Sequence, residues 1–278
     1  MSTDTTLVLG ATGKTGRRVA ARLRLAGTPV RTASRSSQVR FDWHLPDTWD
    51  AALRGVTAAY LIAPDTPSLA HDVVTAVEAA GVRRLVLLSG RGADTRGDSA
   101  FGRDMRSAED AVRGAALEWT ILRASNFQQN FDEDLFHGAL VAGDLALPAG
   151  DVPEPFVDVE DVADVAAAVL ARPGEHAGRT YELTGPRALT FDEAVDQISR
   201  ASGSPISYRQ VSATEYVAAA VEQGVTAAEA RSVADMFELM ADGRLAATTD
   251  DVTAVLRRPP RTFEEYVVRA AAAGAWTR

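Results

Sequence analysis

The 278-residue sequence has no cysteine, a single lysine and no long apolar run. Without cysteine there are no disulfides, zinc–thiolate sites or thiol nucleophiles. No apolar run approaches the ~18 residues of a membrane span, which excludes a membrane partner. The N-terminal MSTDTT is polar and lacks the basic-then-apolar order of a signal peptide, so a cytoplasmic protein is expected. Positive charge is also short: 29 Lys+Arg stand against 38 Asp+Glu, a net charge of -9. Phosphate backbones need a basic face, so nucleic acid is excluded as a main partner. The lone lysine is Lys14, and any mechanism that requires a lysine must use it.

What is present is a regular alternation. TLVLG (6–10), PVRTAS (29–34), AAYLIAP (58–64), RRLVLLSG (83–90) and EWTILRA (118–124) read as buried strands. Between them lie helical segments at 13–27, with Val19, Leu23 and Leu25 near helical spacing, at 46–53, at 68–81 and at 103–115. Strands apolar on both faces, alternating with helices, indicate a parallel sheet covered on each side. Beyond residue 130 come a short strand and helix over 156–171, a strand at 180–185, and then mostly helix. Four Ser/Thr-x-x-Glu pairs mark helix starts there: Thr190/Glu193, Ser212/Glu215, Thr226/Glu229 and Thr262/Glu265. The loop at 91–102, RGADTRGDSAFG, is long and polar, either an active-site loop or a solvated connection.

VLGATGKTG (8–16) lies between the first strand and the first helix. Gly10, Gly13 and Gly16 there suit a tight turn, a close approach to a pyrophosphate, and close helix–strand packing. The helix N-terminus adds free N–H groups and the positive end of its dipole. Thr12, Lys14 and Thr15 belong to this loop, with Lys14 read as a charge beside the phosphates. Proteins that bind NAD usually carry an acid at the end of the second strand. Here it reads TASRSS, and Arg35 between Ser34 and Ser36 suits a 2′-phosphate, so NADP(H) is the expected cofactor. The expected fold is a Rossmann-like doubly wound α/β domain over 1–150, extended by 156–185. A small, mainly helical lobe over 186–278 would hold the substrate.

VLGATGKTGRRVAARL, ASRSS, FDW (41–43), GVRRLVLLS (81–89), EWTILRASNFQQNF (118–131) and FVDVEDVADVAAAVL (156–170) resemble the NmrA-like atypical short-chain dehydrogenases. The resemblance covers nearly the whole chain, RRPPRTFEEYV (257–267) included. GKTG, SRSS and FDW together look like the branch of agroclavine dehydrogenase, an NADPH-dependent iminium reductase. The family also holds quinone reductases and a catalytically silent NADP-sensing regulator. The resemblance implies that Asp42 contacts the adenine amino group with Trp43 beside it, and that Ala63 and Pro64 pass the cofactor ribose. It implies Ser89 near the nicotinamide, and Asn126 and Phe127 as the floor of the nicotinamide and substrate pocket. Gly90, Met105, Asn130, Phe131 and Phe156 are candidate substrate contacts. Plainer readings stand beside these: Trp43 and Phe131 as core, Ser89 as a strand-end hydrogen bond, Asn126 as a helix cap.

The chain has no Tyr-x-x-x-Lys pair: no tyrosine follows Ser89 in the expected segment, and the only lysine is in the glycine loop. Met105 stands where some relatives of this kind carry a basic catalytic residue, and no catalytic residue is assigned. Reducing a ketone requires a proton for the developing alkoxide, whereas reducing an iminium only neutralises a cation. The expected activity is therefore NADPH-dependent reduction of a small organic acceptor such as an imine or iminium. A quinone-type reductase and a non-catalytic NADP sensor are the alternatives. The four histidines show no metal spacing, and the chain is expected to be a monomer or a homodimer.

Overall fold

A computed structural model describes residues 4–64, 66–95 and 100–277. Seven strands form one parallel sheet: β1 (Thr5–Leu9), β2 (Val30–Ser34), β3 (Val39–Arg40), β4 (Val56–Ile62), β5 (Arg84–Gly90), β6 (Glu118–Ala124) and, after a four-residue β7 (Asp144–Leu147) that lies elsewhere, β8 (Arg179–Leu183). Their order is β3-β2-β1-β4-β5-β6-β8. The chain starts in the middle, winds outward to β3, returns beside β1 and winds the other way. The reversal lies between β1 and β4, where a doubly wound sheet leaves a crevice at its carboxyl ends.

Each face of the sheet carries its own core. On one face α2 (Trp49–Leu53), α3 (Pro67–Ala79) and α4 (Ala100–Arg113) cover Leu7, Leu9, Leu61, Leu85, Leu87 and Ile121. On the other, α1 (Lys14–Leu25) and a later helix over Val159–Ala171 cover Val8, Tyr60, Val86, Leu88 and Leu122. Successive side chains of each strand thus enter opposite cores, which is why these strands are apolar throughout. In α1 the buried row is Val19, Ala20 and Leu23, whereas Leu25 is 84% exposed. Leu25 follows Leu23 by two residues, about 200° round the helix, and so points away from the sheet.

The second body contains α5 (His137–Ala142), α7 (Phe191–Ser202), α8 (Ala213–Glu222), α9 (Ala227–Met240) and α11 (Phe263–Ala272), whereas α6 (the Val159–Ala171 helix) and α10 (Asp251–Leu256) pack into the core of the sheet. It also contains β9 (Ser207–Gln210), paired in parallel with β7. This two-stranded sheet is absent from the sequence reading, because both strands are short and embedded among helical segments. All four expected capping boxes are formed, at α7, α8, α9 and α11. The strand expected near Phe156 is reduced to two isolated bridges, Phe127 with Val157 and Glu154 with Leu189. Of the loop read at 91–102, residues 96–99 lie outside the described residues; Arg91 and Ala93 at its start are buried, and Ala100 already belongs to α4.

Phe131, Phe136, Phe156, Phe191, Phe237 and Phe263 form a ring-on-ring cluster at the centre of the second body. Phe131 stands edge-on to Phe156 at 5.2 Å and to Phe263 at 5.4 Å. Both Phe131 and Phe156 are fully buried there. They are core residues and not substrate walls: their rings have more apolar area to bury than a cleft edge covers, and the neighbouring aromatics supply the cover. For Phe131 the plainer of the two sequence readings is the one found.

Among the described residues, no helix is long and apolar enough to cross a membrane, and no cluster of His, Cys, Asp or Glu could hold a metal ion.

Candidate active site

The glycine loop is built by close approach. Gly10 has φ +63°, a left-handed conformation that glycine adopts without strain. A Cβ on Gly10 would stand 2.7 Å from Ile62 Cδ1, and one on Gly16 only 2.3 Å from the Gly10 carbonyl oxygen. Gly13 precedes α1, which begins with no side-chain cap and no acid in its first turn. Its leading N–H groups and dipole therefore face the cleft uncompensated. Thr15 and Gly16 are buried in that first turn, below the cleft.

A cleft of about 490 Å³ opens beyond this loop. It brings together Gly10, Thr12, Gly13, Ser34, Arg35, Ser36, Asp42, Trp43, Ala63 and Pro64, from the ends of β1, β2 and β4 and the segment after β3. The Ser34 and Ser37 hydroxyls meet at 2.6 Å, and Ser34 Oγ also accepts from the Ser36 backbone N–H. Asp42 is held through its backbone: Trp49 Nε1 donates to its carbonyl at 2.8 Å, and its N–H donates to Thr48 Oγ1 at 3.0 Å. Trp43 stands edge-on to Phe41 at 5.6 Å, packed against the core and lining the cleft at once.

This cleft fits a dinucleotide. The absent side chains at Gly10 and Gly16 let the loop pack closely on Ile62 and on its own backbone, and the end of β2 offers hydroxyls and a guanidinium with no carboxylate among them. When bound, the cofactor supplies the hydride.

A second cavity of about 370 Å³ adjoins it through Ile62 and Ala63. Its walls include Ser89, Gly90, Met105, Asn126, Phe127 and Asn130, all expected near the nicotinamide or substrate. Leu88, Arg91, Ala124, Ser125, Asp134, Leu135 and Met236 complete them. Sequence reasoning missed this second group.

The polar side chains around this cavity are mostly tied to the protein. Ser125 Oγ donates to the Pro155 carbonyl at 2.6 Å, and Asn126 Nδ2 to Met240 Sδ at 3.5 Å. Asn126 is not a helix cap; its backbone N–H donates to Glu154 Oε1. Arg91 pairs with Glu182 and donates to the Leu245 carbonyl. Ser89 donates to Glu109 at 2.8 Å. Lys14, at the start of α1, reaches into this second cavity. Its ammonium donates to Asn130 Oδ1 at 2.6 Å and Asp134 Oδ2 at 2.8 Å, 5.6 Å from the Phe127 ring centre. Those two acceptors, on the segment after β6, hold it there. His137 bonds the Ala275 carbonyl and does not line either space.

The comparisons agree with this geometry. A family model described as NAD(P)H-binding matches residues 10–173. An NAD(P)H azoreductase of Xenophilus azovorans is 30% identical over 97% of this chain and 99% of its own. Agroclavine dehydrogenase of Claviceps fusiformis is 28% identical, covering 95% of this chain and 96% of that protein. Among solved structures, the Citrobacter triphenylmethane reductase complexed with NADP(H) superposes with a TM-score of 0.81 at 22% identity, covering 96% and 99% of the two chains. That likeness shows the fold. The chain belongs to the NAD(P)H-binding family of oxidoreductases, and it is similar to the agroclavine and festuclavine dehydrogenases.

Proposed function

We propose that the chain is an NADPH-dependent reductase of a small imine or iminium acceptor. The observation that carries this reading is the second cavity. It adjoins the dinucleotide cleft at the carboxyl ends of the central strands, its wall is largely apolar, and among the described residues that line it there is no tyrosine, histidine or cysteine. Orientation against an apolar wall suffices for hydride transfer to an iminium. A ketone would need a proton donor; the hydroxyls of Ser89 and Ser125 are already donating within the protein, which leaves the Lys14 ammonium, itself paired with Asn130 and Asp134, as the lining acid with an N–H to spare.

In this reading Gly10, Thr12, Gly13 and the start of α1 hold the pyrophosphate. Ser34, Arg35 and Ser36 hold the 2′-phosphate, and Asp42 and Trp43 flank the adenine. Ala63, Pro64, Ser89, Asn126 and Phe127 border the nicotinamide. Met105, Met236 and Leu135 shape the acceptor's side; thioethers adapt to flat conjugated molecules better than branched aliphatics do. The names of the relatives fit: an azoreductase acts on a nitrogen-containing π system, and agroclavine dehydrogenase lies in the same branch.

A quinone-type acceptor is the second reading. Lys14 favours it, because its ammonium faces the cavity with one N–H beyond its two bonds and could meet a developing phenolate. NADPH oxidation followed with a cyclic iminium, a quinone and a ketone separates the readings. Lys14→Met would leave kcat on the iminium nearly intact and lower kcat on the quinone if the second reading holds.

A further inference from the structure

The buried charge cluster behind Ser89 fixes which way its hydroxyl can act. Ser89 closes β5 in the cavity wall and lies in register with Arg123 of β6. Both side chains face α4, as alternation from Leu85 and Leu87 requires. There, Ser89 Oγ donates to Glu109 Oε1 at 2.8 Å. Arg123 grips the same carboxylate with both arms, Nε to Oε1 at 2.9 Å and Nη2 to Oε2 at 2.8 Å, and Arg113 adds a third guanidinium bond at 2.8 Å. Glu109 is 1% exposed. Burial alone would raise its pKa, but the hydrogen bonds from Arg123 and Ser89 outweigh burial and hold the carboxyl below the usual range. An ionised carboxylate only accepts hydrogen bonds, and a serine hydroxyl has one proton. That proton is committed to Glu109, so Ser89 has only lone pairs left for the cavity.

We propose that Ser89 is a specificity-determining acceptor, selecting substrates that present an N–H at the reacting double bond, namely protonated imines. This rests on the reductase reading above. A carbonyl oxygen at the same place would oppose lone pairs to lone pairs. For a protonated imine the step balances without any proton from the protein. Hydride adds to carbon, the C=N π pair settles on nitrogen, and a neutral secondary amine forms as NADPH becomes NADP+. The N–H remains in place throughout, bonded to Ser89.

The test uses two cations that differ at one atom: 3,4-dihydroisoquinolinium kept in its N–H form, and its N-methyl analogue. Turnover is measured with NADPH, and affinity by calorimetry with NADP+, where no hydride is available. The wild type should favour the N–H cation by about tenfold or more, the scale of a hydrogen bond to a charged group. Ser89→Ala should remove that advantage in both measurements, lowering the N–H cation by about tenfold more than the N-methyl cation, and Ser89→Thr should keep the advantage. Equal losses on both cations, or an advantage that survives Ser89→Ala, would overturn the assignment. Preferential binding that depends on Ser89 without turnover would uphold the assignment and remove the reductase reading. Turnover of both cations with no preference would do the reverse.

Discussion

The ammonium of Lys14 lies 2.8 Å from the carboxylate of Asp134, 120 residues later in the chain, and both line the cavity beside the dinucleotide cleft. The pair makes that end of the cavity neutral. Lys14→Met leaves Asp134 unpaired, but Asp134 is more than half exposed, so little stability is lost. The uncovered carboxylate should instead lower KM for a cationic acceptor by a few-fold, and Asp134→Asn should raise it by a similar factor, both effects shrinking with salt. Steady-state KM at two ionic strengths checks this. Unchanged KM in both variants would place the acceptor elsewhere.

Gly16→Ala should cost far more than its size suggests. Its methyl would press to 2.3 Å from the Gly10 carbonyl, which is backbone and cannot swing aside. The expected outcome is a sharply lower Tm and no further stabilisation by NADPH. Gly138→Ala is the control: it sits in α5 with open space around its Cβ, and should be neutral or stabilising by about 0.5–1 kcal/mol. Thermal melts with and without cofactor read both.

Six of the seven strands of the central sheet, all but the two-residue β3, and all four capping boxes were legible in the sequence because each rests on local pattern: apolar runs, glycine stops, Thr or Ser three residues before Glu. The glycine loop was legible for the same reason. Phe131 and Phe156 were not, because a resemblance places residues near a pocket without saying which way a ring turns, and an aromatic cluster decides that through contacts remote in sequence. The partners of Lys14, Asn130 and Asp134, lie more than a hundred residues away and were not legible either. The Glu109–Arg123 pair was invisible for the same reason: only the register of β5 on β6 sets Arg123 beside Ser89.

Arg35→Asp should exchange the cofactor preference. The arginine lines the cleft between Ser34 and Ser36, and a carboxylate there would repel a 2′-phosphate. NADPH affinity should fall by roughly 10–100-fold while NADH is little affected. Calorimetric titration with NADPH and NADH measures it. NADPH affinity that is unchanged would refute the 2′-phosphate reading.

An ion-pair chain joins the cofactor helix to its neighbours. Arg18 donates to Glu133 at 2.5 Å and to Glu160 at 2.6 Å, and Arg22 bonds Glu160 and Asp164. Burial tends to raise the pKa of Glu133 and Glu160, but bonds and charge from the arginines prevail and hold both below the usual range. A depressed folded pKa gives stability that is present above the unfolded value, ~4.3 for glutamate, and is lost as pH falls through the folded one. Tm should therefore fall from about pH 4 downward. Arg18→Met should lower Tm at neutral pH and flatten that acid limb; an acid limb as steep as the wild type's would contradict the assignment.

The central claim is reduction of an acceptor that needs no proton from the protein. Its most direct measurement is the rate of NADPH oxidation with a preformed cyclic iminium and with the ketone of matching shape, at one pH and concentration. The expected result is ready turnover of the iminium and, at best, about a hundredfold slower turnover of the ketone, the scale of a missing general acid. Equal rates on the two, or a ketone reduced faster, would contradict it.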